Sequence, residues 1–371
     1  MYENEFLHSL NLMKNPIGQH ETTIKFAVVG TGWRAEFFTR LAAQIPGVEC
    51  VGSIVRTPRE SNVPIYLSLE DCIRKAKPDF LVCSVPREVT PEIIRLAVKA
   101  NLPIMAETPP AGDLDSLRAL WTDVGQSGLV QIAEQYLQLP SHAGRLAVVK
   151  SGAIGKPTQV QVSSTHDYHA ISIMRGYLGA GIGPVKVNST GFLAPLQNPA
   201  SRDSWNSDVN AIPTKSQIAT IEFDATLSGL YDFTDNQWHN QLRFRRIVVR
   251  GSHGEINGDE VISWSPPDNF VNAPIVRRQS GYDLDLDGYR TDHISFNSDV
   301  VYKNPFIKQS WSDEEIAIAT MIRKMASWVA ETGPAPYPLA EGIHDQRVAL
   351  AIQESLEKSC AVTTGKEAWD S

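Results

Sequence analysis

Residues 24–38 have the sequence IKFAVVGTGWRAEFF, which joins an apolar run, a glycine-rich turn and the start of a helical pattern. Gly30 permits a tight turn after a strand, and Gly32 lacks a side chain where a pyrophosphate would approach the backbone. Ala35 is the third small residue of the pattern and lets the helix pack closely on the strand. The helix N-terminus would present free N–H groups to phosphates. The segment therefore predicts a dinucleotide-binding strand–turn–helix.

Strand and helix patterns alternate through the first third of the chain. The candidate strands are Lys25–Val29, Val48–Val55, Phe80–Ser84, Pro103–Ala106 and Val130–Ala133. The helical stretches between them are Ala35–Gln44, Ser68–Lys75, Thr90–Ala100 and Leu114–Gly128. Strands that alternate with helices form a parallel, doubly wound sheet, so this part is predicted to be a Rossmann domain of the α/β class.

A different pattern follows this first part. Alternating apolar and polar runs cover Gln159–Ser164, Gln217–Phe223, Leu227–Phe233, Arg245–Arg250 and Val261–Trp264. They predict an α+β domain with an open mixed or antiparallel sheet, and the flanking helices are expected at Leu146–Lys150, Ser312–Thr332 and Ala340–Lys358. We therefore divide the chain into an N-terminal arm (1–23), a dinucleotide-binding domain (24–143), a sheet domain (144–335) and a C-terminal helix packed on the first domain (336–371).

The composition narrows the class of protein. The chain has 371 residues, of which 42% are hydrophobic and 20% charged, and its net charge is −8. This is an ordinary globular balance, and it lacks the basic stripe of a nucleic-acid-binding protein. No apolar stretch approaches the ~20 residues of a membrane span, and the N-terminus lacks a secretory pattern. The four cysteines show no C-x-x-C spacing, which favours a reducing, cytoplasmic location without structural zinc or disulfides.

Four segments, in their order and spacing, resemble the Gfo/Idh/MocA family of oxidoreductases (glucose–fructose oxidoreductase, inositol dehydrogenase and relatives). They are Val28–Gly32, Ala106–Pro110, Leu146–Pro157 and His169–Gly179. The second segment stands like the family's Glu-Lys-Pro, and the fourth like its His-x-x-Asp-x-x-Arg-x-Leu-Leu-Gly helix. The resemblance implies hydride transfer between a nicotinamide cofactor and a sugar, polyol or sugar derivative. It also implies a homodimer or homotetramer built through the open sheet.

The catalytic pattern implied by this resemblance is incomplete. Typical members use the Lys of Glu-Lys-Pro, an Asp and a His four residues later. Here Thr108 replaces the Lys and Thr165 replaces the Asp, while His169 remains as the expected proton acceptor. Ser172 also stands in place of the family's second Asp, on the helix face that His169 would share.

Other residues close to His169 in the sequence could take over the roles of the missing Lys and Asp. The run 166–169 (His-Asp-Tyr-His) places several proton-transfer groups together, so the catalytic candidates are His169, His166, Tyr168 and Thr108. If His169 opens the helix, Asp167 caps it and His166 faces the cleft. The alternative interpretation is a pair of surface histidines beside a helix cap. We predict no metal, because two histidines without a clear third ligand do not make a catalytic metal site.

The candidate cofactor residues lie in the glycine turn, at its helix start or after predicted strands. They are Gly30, Thr31, Gly32, Trp33, Arg34, Ala35, Arg56, Ser84, Pro86, Glu107, Thr108 and Gln135. NAD is usually selected by an acidic residue about 20 residues past the glycines. Val55 and Arg56 stand there instead, and Arg56, with Thr57 or Arg59, could pair with a 2′-phosphate. We therefore favour NADP over NAD.

The candidate substrate residues fall near His169 and in the aromatic run 231–239. They are Tyr136, Thr165, Asp167, Ser172, Asp235, Trp238 and His239. Aromatic faces and polar side chains suit the C–H faces and hydroxyls of a sugar. The alternative interpretation of the second cluster is a strand end and loop with core aromatics.

Three functions are compatible with these residues. The first is an NAD(P)-dependent oxidoreductase for a carbohydrate-like substrate with His169 as the acid/base. The second is a glycosidase or lyase that recycles its nicotinamide through oxidation, elimination and reduction, without net redox change. The third is a non-catalytic, cofactor-binding regulatory protein, since two catalytic residues of the family are replaced.

Overall fold

The structure, a computed structural model, describes residues 23–201, 204–281, 283 and 285–370. The predicted N-terminal arm lies outside the described residues except for residue 23. The helices are α1 (Trp33–Ala42), α2 (Leu69–Ala76), α3 (Thr90–Lys99), α4 (Leu114–Val124), α5 (Pro140–Lys150), α6 (Asp167–Leu178), α7 (Asp313–Val329) and α8 (Leu339–Lys358). A 3₁₀ turn covers Tyr136–Gln138.

The strands form three sheets. Their bounds are β1 (Ile24–Val29), β2 (Val48–Ile54), β3 (Ile65–Tyr66), β4 (Phe80–Cys83), β5 (Ile104–Ala106), β6 (Val130–Ile132), β7 (Pro157–Ser163), β8 (Lys186–Leu196), β9 (Ile212–Glu222), β10 (Ser228–Thr234), β11 (Arg246–Gly251), β12 (Gly254–Asn257), β13 (Glu260–Ser265), β14 (Asn269–Pro274), β15 (Val276–Ser280), β16 (Arg290–Phe296), β17 (Asp299–Lys303) and β18 (Val362–Thr363).

The first sheet has the order β3-β2-β1-β4-β5-β6, and its strand pairs are parallel. This confirms the predicted Rossmann domain, with β1 at the centre and the glycine turn at its carboxyl end. The sequence analysis missed β3, which is only two residues long and shows no periodicity of its own. Apolar residues from both faces of the sheet are buried, as parallel sheets covered by helices require.

The second sheet has the order β14-β13-β12-β11-β7-β10-β9-β8-β18. The pair β7–β10 is parallel and the other pairs are antiparallel, which confirms the predicted mixed sheet. Helix α6 packs on this sheet, and its Ile171 and Met174 join Val160 and Val162 of β7 in one core. Strand β8 and the small sheet β15-β16-β17 were not predicted, because exposed and polar residues interrupt their alternation.

The two C-terminal helices tie the two parts together. Helix α7 buries Ile316 and Met325 against the α1 face of the first sheet. Helix α8 places Ile343 in the core on the opposite face of that sheet, and Ile352 in the core of the second sheet. The predicted division at residue 335 therefore falls between two helices that both contact the first domain. No helix within the described ranges combines the length and the apolar character that a bilayer span needs.

Candidate active site

The two glycines of the turn meet different requirements. Gly30 has φ +127°, and a Cβ there would clash with the carbonyl oxygen of Ser84 on the neighbouring strand end, so the fold itself requires glycine. Gly32 has an ordinary φ of −74°, and a Cβ there would meet no protein atom within 4 Å. The fold leaves Gly32 unexplained, whereas a pyrophosphate approaching the N-terminus of α1 would need it. The turn therefore fits a dinucleotide.

A cleft of about 530 Å³ lies beside this turn, at the end of β2. Thr31, Val55 and Arg59 are among the residues that line it, whereas the exposed Arg56 is not. The guanidinium of Arg59 donates a hydrogen bond of 3.0 Å to the carbonyl oxygen of Thr31. The structure therefore places Arg59, which the prediction offered as a partner of Arg56, in the lining of this cleft, and Arg56 outside it.

Arg34, a predicted cofactor residue, is held by carboxylates of the protein. Its Nη1 donates to Glu314 of α7 at 2.9 Å, and its Nε lies 3.7 Å from Glu107. Its guanidinium also lies 4.7 Å from the ring centre of Trp33. Burial raises the pKa of Glu107, and the charge of Arg34 opposes this shift. Arg34 therefore links the start of α1 to the end of β5 and to α7.

The remaining cofactor candidates lie along the same edge of the first sheet. The carbonyl oxygen of Pro86 accepts hydrogen bonds from the backbone of Val89 and Thr90 at the start of α3. Gln135 is buried and begins the 3₁₀ turn after β6. Both positions flank the carboxyl ends of strands, where doubly wound sheets bind their ligands.

A second cleft, of about 410 Å³, opens between this edge and helices α6 and α8. Its lining residues come from both domains and are Arg87, Thr108, Pro109, Gly112, His166, Asp167, Tyr168, His169, Gln346, Ala349, Leu350 and Gln353. Fold formation thus brings Thr108, at the end of β5, to the same cavity as His166 and His169 at the start of α6. Clefts between domains, at the carboxyl ends of parallel strands, are where small ligands commonly bind.

His169 is paired with a carboxylate that the sequence analysis missed. Its Nδ1 lies 2.6 Å from Oε2 of Glu134, whose side chain is fully buried directly after β6. Burial alone would lower the pKa of His169, but the charge and hydrogen bond of Glu134 outweigh it, so the pKa is raised. The His169 side chain is 17% exposed and lines the cleft, and its Nε2 bonds no residue in the described part of the chain.

Glu134 and His169 are held in place by their neighbours. The other carboxylate oxygen of Glu134 accepts a hydrogen bond of 2.9 Å from the backbone of Tyr136. The Tyr136 ring lies 4.4 Å from the His169 ring, and its hydroxyl accepts a 2.7 Å hydrogen bond from Thr165. Thr165, which stands in place of the family's Asp, therefore fixes Tyr136. The carboxylate partner of the histidine comes from a different strand.

The start of α6 differs from the expectation in one respect. The helix begins at Asp167 and not at His169, with His166 as an N-cap that makes no side-chain capping bond. Asp167 is therefore the first helical residue, and it accepts hydrogen bonds from the backbone of Tyr168 and from Gln353 of α8. The predicted capping role of Asp167 is wrong, because the helix starts two residues earlier.

Two other candidates of this helix have buried hydroxyls, although Tyr168 belongs to the lining of the cleft. The Tyr168 hydroxyl is buried without a hydrogen-bond partner among the described residues, next to Gly342 of α8. The Ser172 hydroxyl is buried and donates to the carbonyl oxygen of His169, one turn earlier in the helix. The Ser172 side chain therefore serves the packing of α6.

The aromatic cluster adjoins the cleft through His166. The His166 ring lies 5.2 Å from Phe233 and 6.4 Å from Trp238, and Trp238 contacts the His239 ring at 4.3 Å. Burial and the charge of His169 lower the pKa of His166, although the exposed Asp235 acts in the opposite direction. The structure thus brings the second predicted substrate cluster to the edge of the first. In the described ranges, no group of three His, Cys, Asp or Glu side chains is arranged to hold a metal ion.

Solved structures of similar fold cover almost the whole chain. A myo-inositol dehydrogenase from Corynebacterium glutamicum has 16% identity and a TM-score of 0.63, over 93% of this chain and 99% of that one. An Agrobacterium radiobacter oxidoreductase in complex with NAD+, L-tartaric acid and magnesium has 13% identity and a TM-score of 0.67, over 92% and 98%. Scyllo-inositol dehydrogenase from Lactobacillus casei, with NAD(H) and scyllo-inositol, has 15% identity and a TM-score of 0.62, over 92% and 99%.

At these identities the similarity defines the fold. The chain has the two-domain architecture of these solved structures, which is the architecture that the sequence resemblance implied. No protein-family model and no curated protein matches the sequence.

Proposed function

We propose that this chain is an NAD(P)-dependent oxidoreductase that acts on a sugar, a polyol or a derivative of one, with His169 as its acid/base. The observation that carries the proposal is the pair of His169 and Glu134 in the interdomain cleft, at the same sheet edge as the glycine turn. The similar structures bind NAD(H) with scyllo-inositol, or NAD+ with L-tartaric acid, which supports a small hydroxylated substrate. We also propose that the protein is cytoplasmic and forms a homodimer or homotetramer. Light scattering on the purified protein would measure its molar mass in solution and so test the assembly.

The proton chemistry follows from the hydrogen bond between His169 and Glu134. The Glu134 carboxylate accepts a hydrogen bond from Nδ1 of His169, which leaves Nε2 with a free lone pair in the cleft. Nε2 can then take the proton of a substrate hydroxyl, and the resulting imidazolium is stabilised by the carboxylate behind it. A nicotinamide held at the glycine turn would supply the hydride acceptor for the carbon that carries this hydroxyl. His169 gives the proton back in the reverse direction.

Thr108 changes the balance of charge at the reacting hydroxyl. It lines the cleft where the resemblance places a lysine, and its own hydroxyl can donate a hydrogen bond but carries no charge. In the proposed site, proton abstraction therefore depends on His169 without help from an ammonium group. We assign this proton transfer to His169 rather than to Tyr168, whose hydroxyl is buried next to Gly342.

NADP is the proposed cofactor. Val55, at the end of β2, offers no carboxylate to a ribose 2′-hydroxyl, and Arg59 lines the cleft beside it. Besides the Thr31 carbonyl, the guanidinium of Arg59 has an exposed Glu36 at 4.0 Å, a distance at which an ion pair is weak. Arg59→Gln should weaken NADPH binding on the order of 10- to 100-fold without weakening NADH. Arg56→Gln, outside the cleft, is the matched control, and tighter binding of NADH by the wild type would contradict the proposal.

One experiment separates the proposed function from its alternatives. Purified protein is loaded with either cofactor and screened against sugars, polyols and glycosides, and both cofactor absorbance and glycoside cleavage are measured. Net reduction of the cofactor that is lost in His169→Gln supports the proposal. Cofactor-dependent cleavage without net redox change, accompanied by exchange of the C2 hydrogen with solvent, would support the glycosidase or lyase instead. Cofactor binding without either reaction across the panel would favour a regulatory protein.

A further inference from the structure

We propose that Arg87 binds an anionic group of the substrate, so that the preferred substrates are sugar acids rather than neutral sugars or polyols. This inference rests on the proposed function, because it assigns a substrate class to the same cleft. The ligand that we propose carries a carboxylate on a polyhydroxylated carbon chain.

Arg87 is placed to reach a ligand in the cleft. It follows β4 and lines the cavity together with Thr108 and His169, so it stands on the first-domain wall. Its side chain passes over Gly112, where a Cβ would lie 3.8 Å from both Cδ and Nε of Arg87. Gly112 therefore lies directly beneath the stem of the arginine, and both residues belong to the lining.

The guanidinium of Arg87 has most of its donors available. Its Nε lies 3.1 Å from Glu88, and the two side chains are 60% and 71% exposed. An exposed pair of this kind contributes little and is readily exchanged for a ligand. The two terminal nitrogens make no hydrogen bond to any residue in the described part of the chain. They form the planar fork that binds carboxylates with two parallel hydrogen bonds.

The charge of the cavity also favours an anion. Among the described lining residues, Asp167 is the acidic one, and its oxygens are already used by Gln353 and by the backbone of Tyr168. Thr108 contributes no charge, so Arg87 is the permanent cation on this wall. A neutral sugar would leave this guanidinium with the exposed Glu88 as its charged partner, whereas a sugar acid would bind its terminal nitrogens from within the cleft.

The test compares acid and neutral ligands of the same carbon skeleton. Gluconate is paired with glucitol, and galacturonate with galactose, and further aldonates and uronates extend the panel. Their dissociation constants are measured by calorimetry on cofactor-saturated protein, together with kcat and KM. We expect wild type to bind the acid of a pair at least about 10-fold more tightly, as charge-assisted hydrogen bonds allow. Arg87→Gln should remove this preference by raising the KM of the acid, with kcat changed less.

Two controls separate the cleft from general charge effects. Glu88→Gln removes the exposed partner of Arg87 and should leave acid binding equal or tighter. Arg95→Gln removes an arginine of α3 that pairs with Asp123 outside the cleft, and acid binding should not change. The cofactor affinity of each variant is titrated as well, because a phosphate of the cofactor is the other anion that an arginine at this edge could bind.

The outcomes distinguish this inference from the proposed function. Equal binding of acid and neutral ligands, or no binding of any acid in the panel, overturns the inference. It is also overturned if Arg87→Gln weakens the cofactor rather than the acid. Neutral polyols oxidised in a His169-dependent reaction without an acid preference would overturn it and leave the proposed function standing. Acid binding that depends on Arg87, without His169-dependent hydride transfer, would support the assignment of Arg87 and refute the proposed function.

Discussion

One buried histidine of this molecule, His142, and one partly buried histidine, His169, lie in opposite electrostatic surroundings. His142, inside the contact between α5 and α6, is 6% exposed and shares a 2.9 Å hydrogen bond with the Tyr177 hydroxyl. Burial, with a smaller effect of Arg145, lowers the pKa of His142 to about 3. His169, at the cleft, is desolvated too, yet Glu134 reverses the direction of its shift. The comparison teaches that a carboxylate behind the ring, rather than the depth of burial, makes a histidine basic here.

The strongest test of this contrast is His169→Gln. We expect the rate of hydride transfer to fall by about 10²- to 10⁴-fold, because a positioned acid/base contributes that much. Single-turnover absorbance measurements with saturating cofactor isolate this step from binding. His142→Gln is the matched control, since its ring is enclosed between α5 and α6 and should affect stability more than rate. Equal losses of rate in the two variants would break the comparison.

Glu134→Gln tests the carboxylate itself. Oxidation needs neutral His169, so its rate should rise with pH through the raised pKa of this residue and level off above it. Without the negative charge, burial prevails and the pKa of His169 falls, so the rising limb moves to lower pH. The plateau rate should drop by roughly 10- to 100-fold, as losses of such supporting groups do.

The pH–rate profiles of wild type and Glu134→Gln, with cofactor affinity and melting temperature as checks on folding, measure this effect. Tyr177→Phe removes the hydroxyl partner of His142 instead and should leave the limb in place. An unchanged limb in Glu134→Gln would mean that another group controls the ionisation.

The same contrast predicts opposite effects of pH on stability. His142 stays neutral in the fold down to about pH 3 but titrates near 6.5 when unfolded, so the unfolded state binds the extra proton as the pH falls below 6.5. Between pH 6.5 and 5, the free energy of unfolding of the wild type should therefore fall by about 2 kcal/mol more than that of His142→Gln. His169 has a raised pKa in the folded state, so protonated His169 stabilises the fold. This contribution is complete below pH 6.5 and is lost as the pH rises through the pKa of the folded state.

Urea unfolding at pH 5, 6.5 and 8 measures both directions. The difference in unfolding free energy between wild type and His142→Gln should shrink towards acid pH. The difference between wild type and His169→Gln should shrink towards alkaline pH. Parallel pH dependence of the two variants would contradict the assigned environments.

The sequence predicted some residues of the candidate site and missed others. Gly30 was predictable because the close approach of its backbone to the neighbouring strand end requires a glycine, and this requirement is visible in the local sequence. The pair of Glu134 and His169 was not, because it joins the end of β6 to the start of α6 across the domain boundary. A carboxylate directly after a buried apolar strand was the one signal for Glu134. The sequence named both Arg56 and Arg59 but could not say which of them lines the cleft, because the path of the chain after β2 is set by the fold.

The smallest effect is expected for Tyr136→Phe, which separates packing from charge at His169. The phenyl ring would keep its place beside the His169 ring, while Thr165 loses the partner of its 2.7 Å hydrogen bond. A neutral hydrogen bond of this kind is worth about 1 kcal/mol, so the loss in kcat/KM should stay under about 10-fold. The pH–rate limb should remain where wild type has it, because the Glu134 carboxylate is unchanged. A shift of this limb as large as that in Glu134→Gln would show that Tyr136, and not only the carboxylate, determines the basicity of His169.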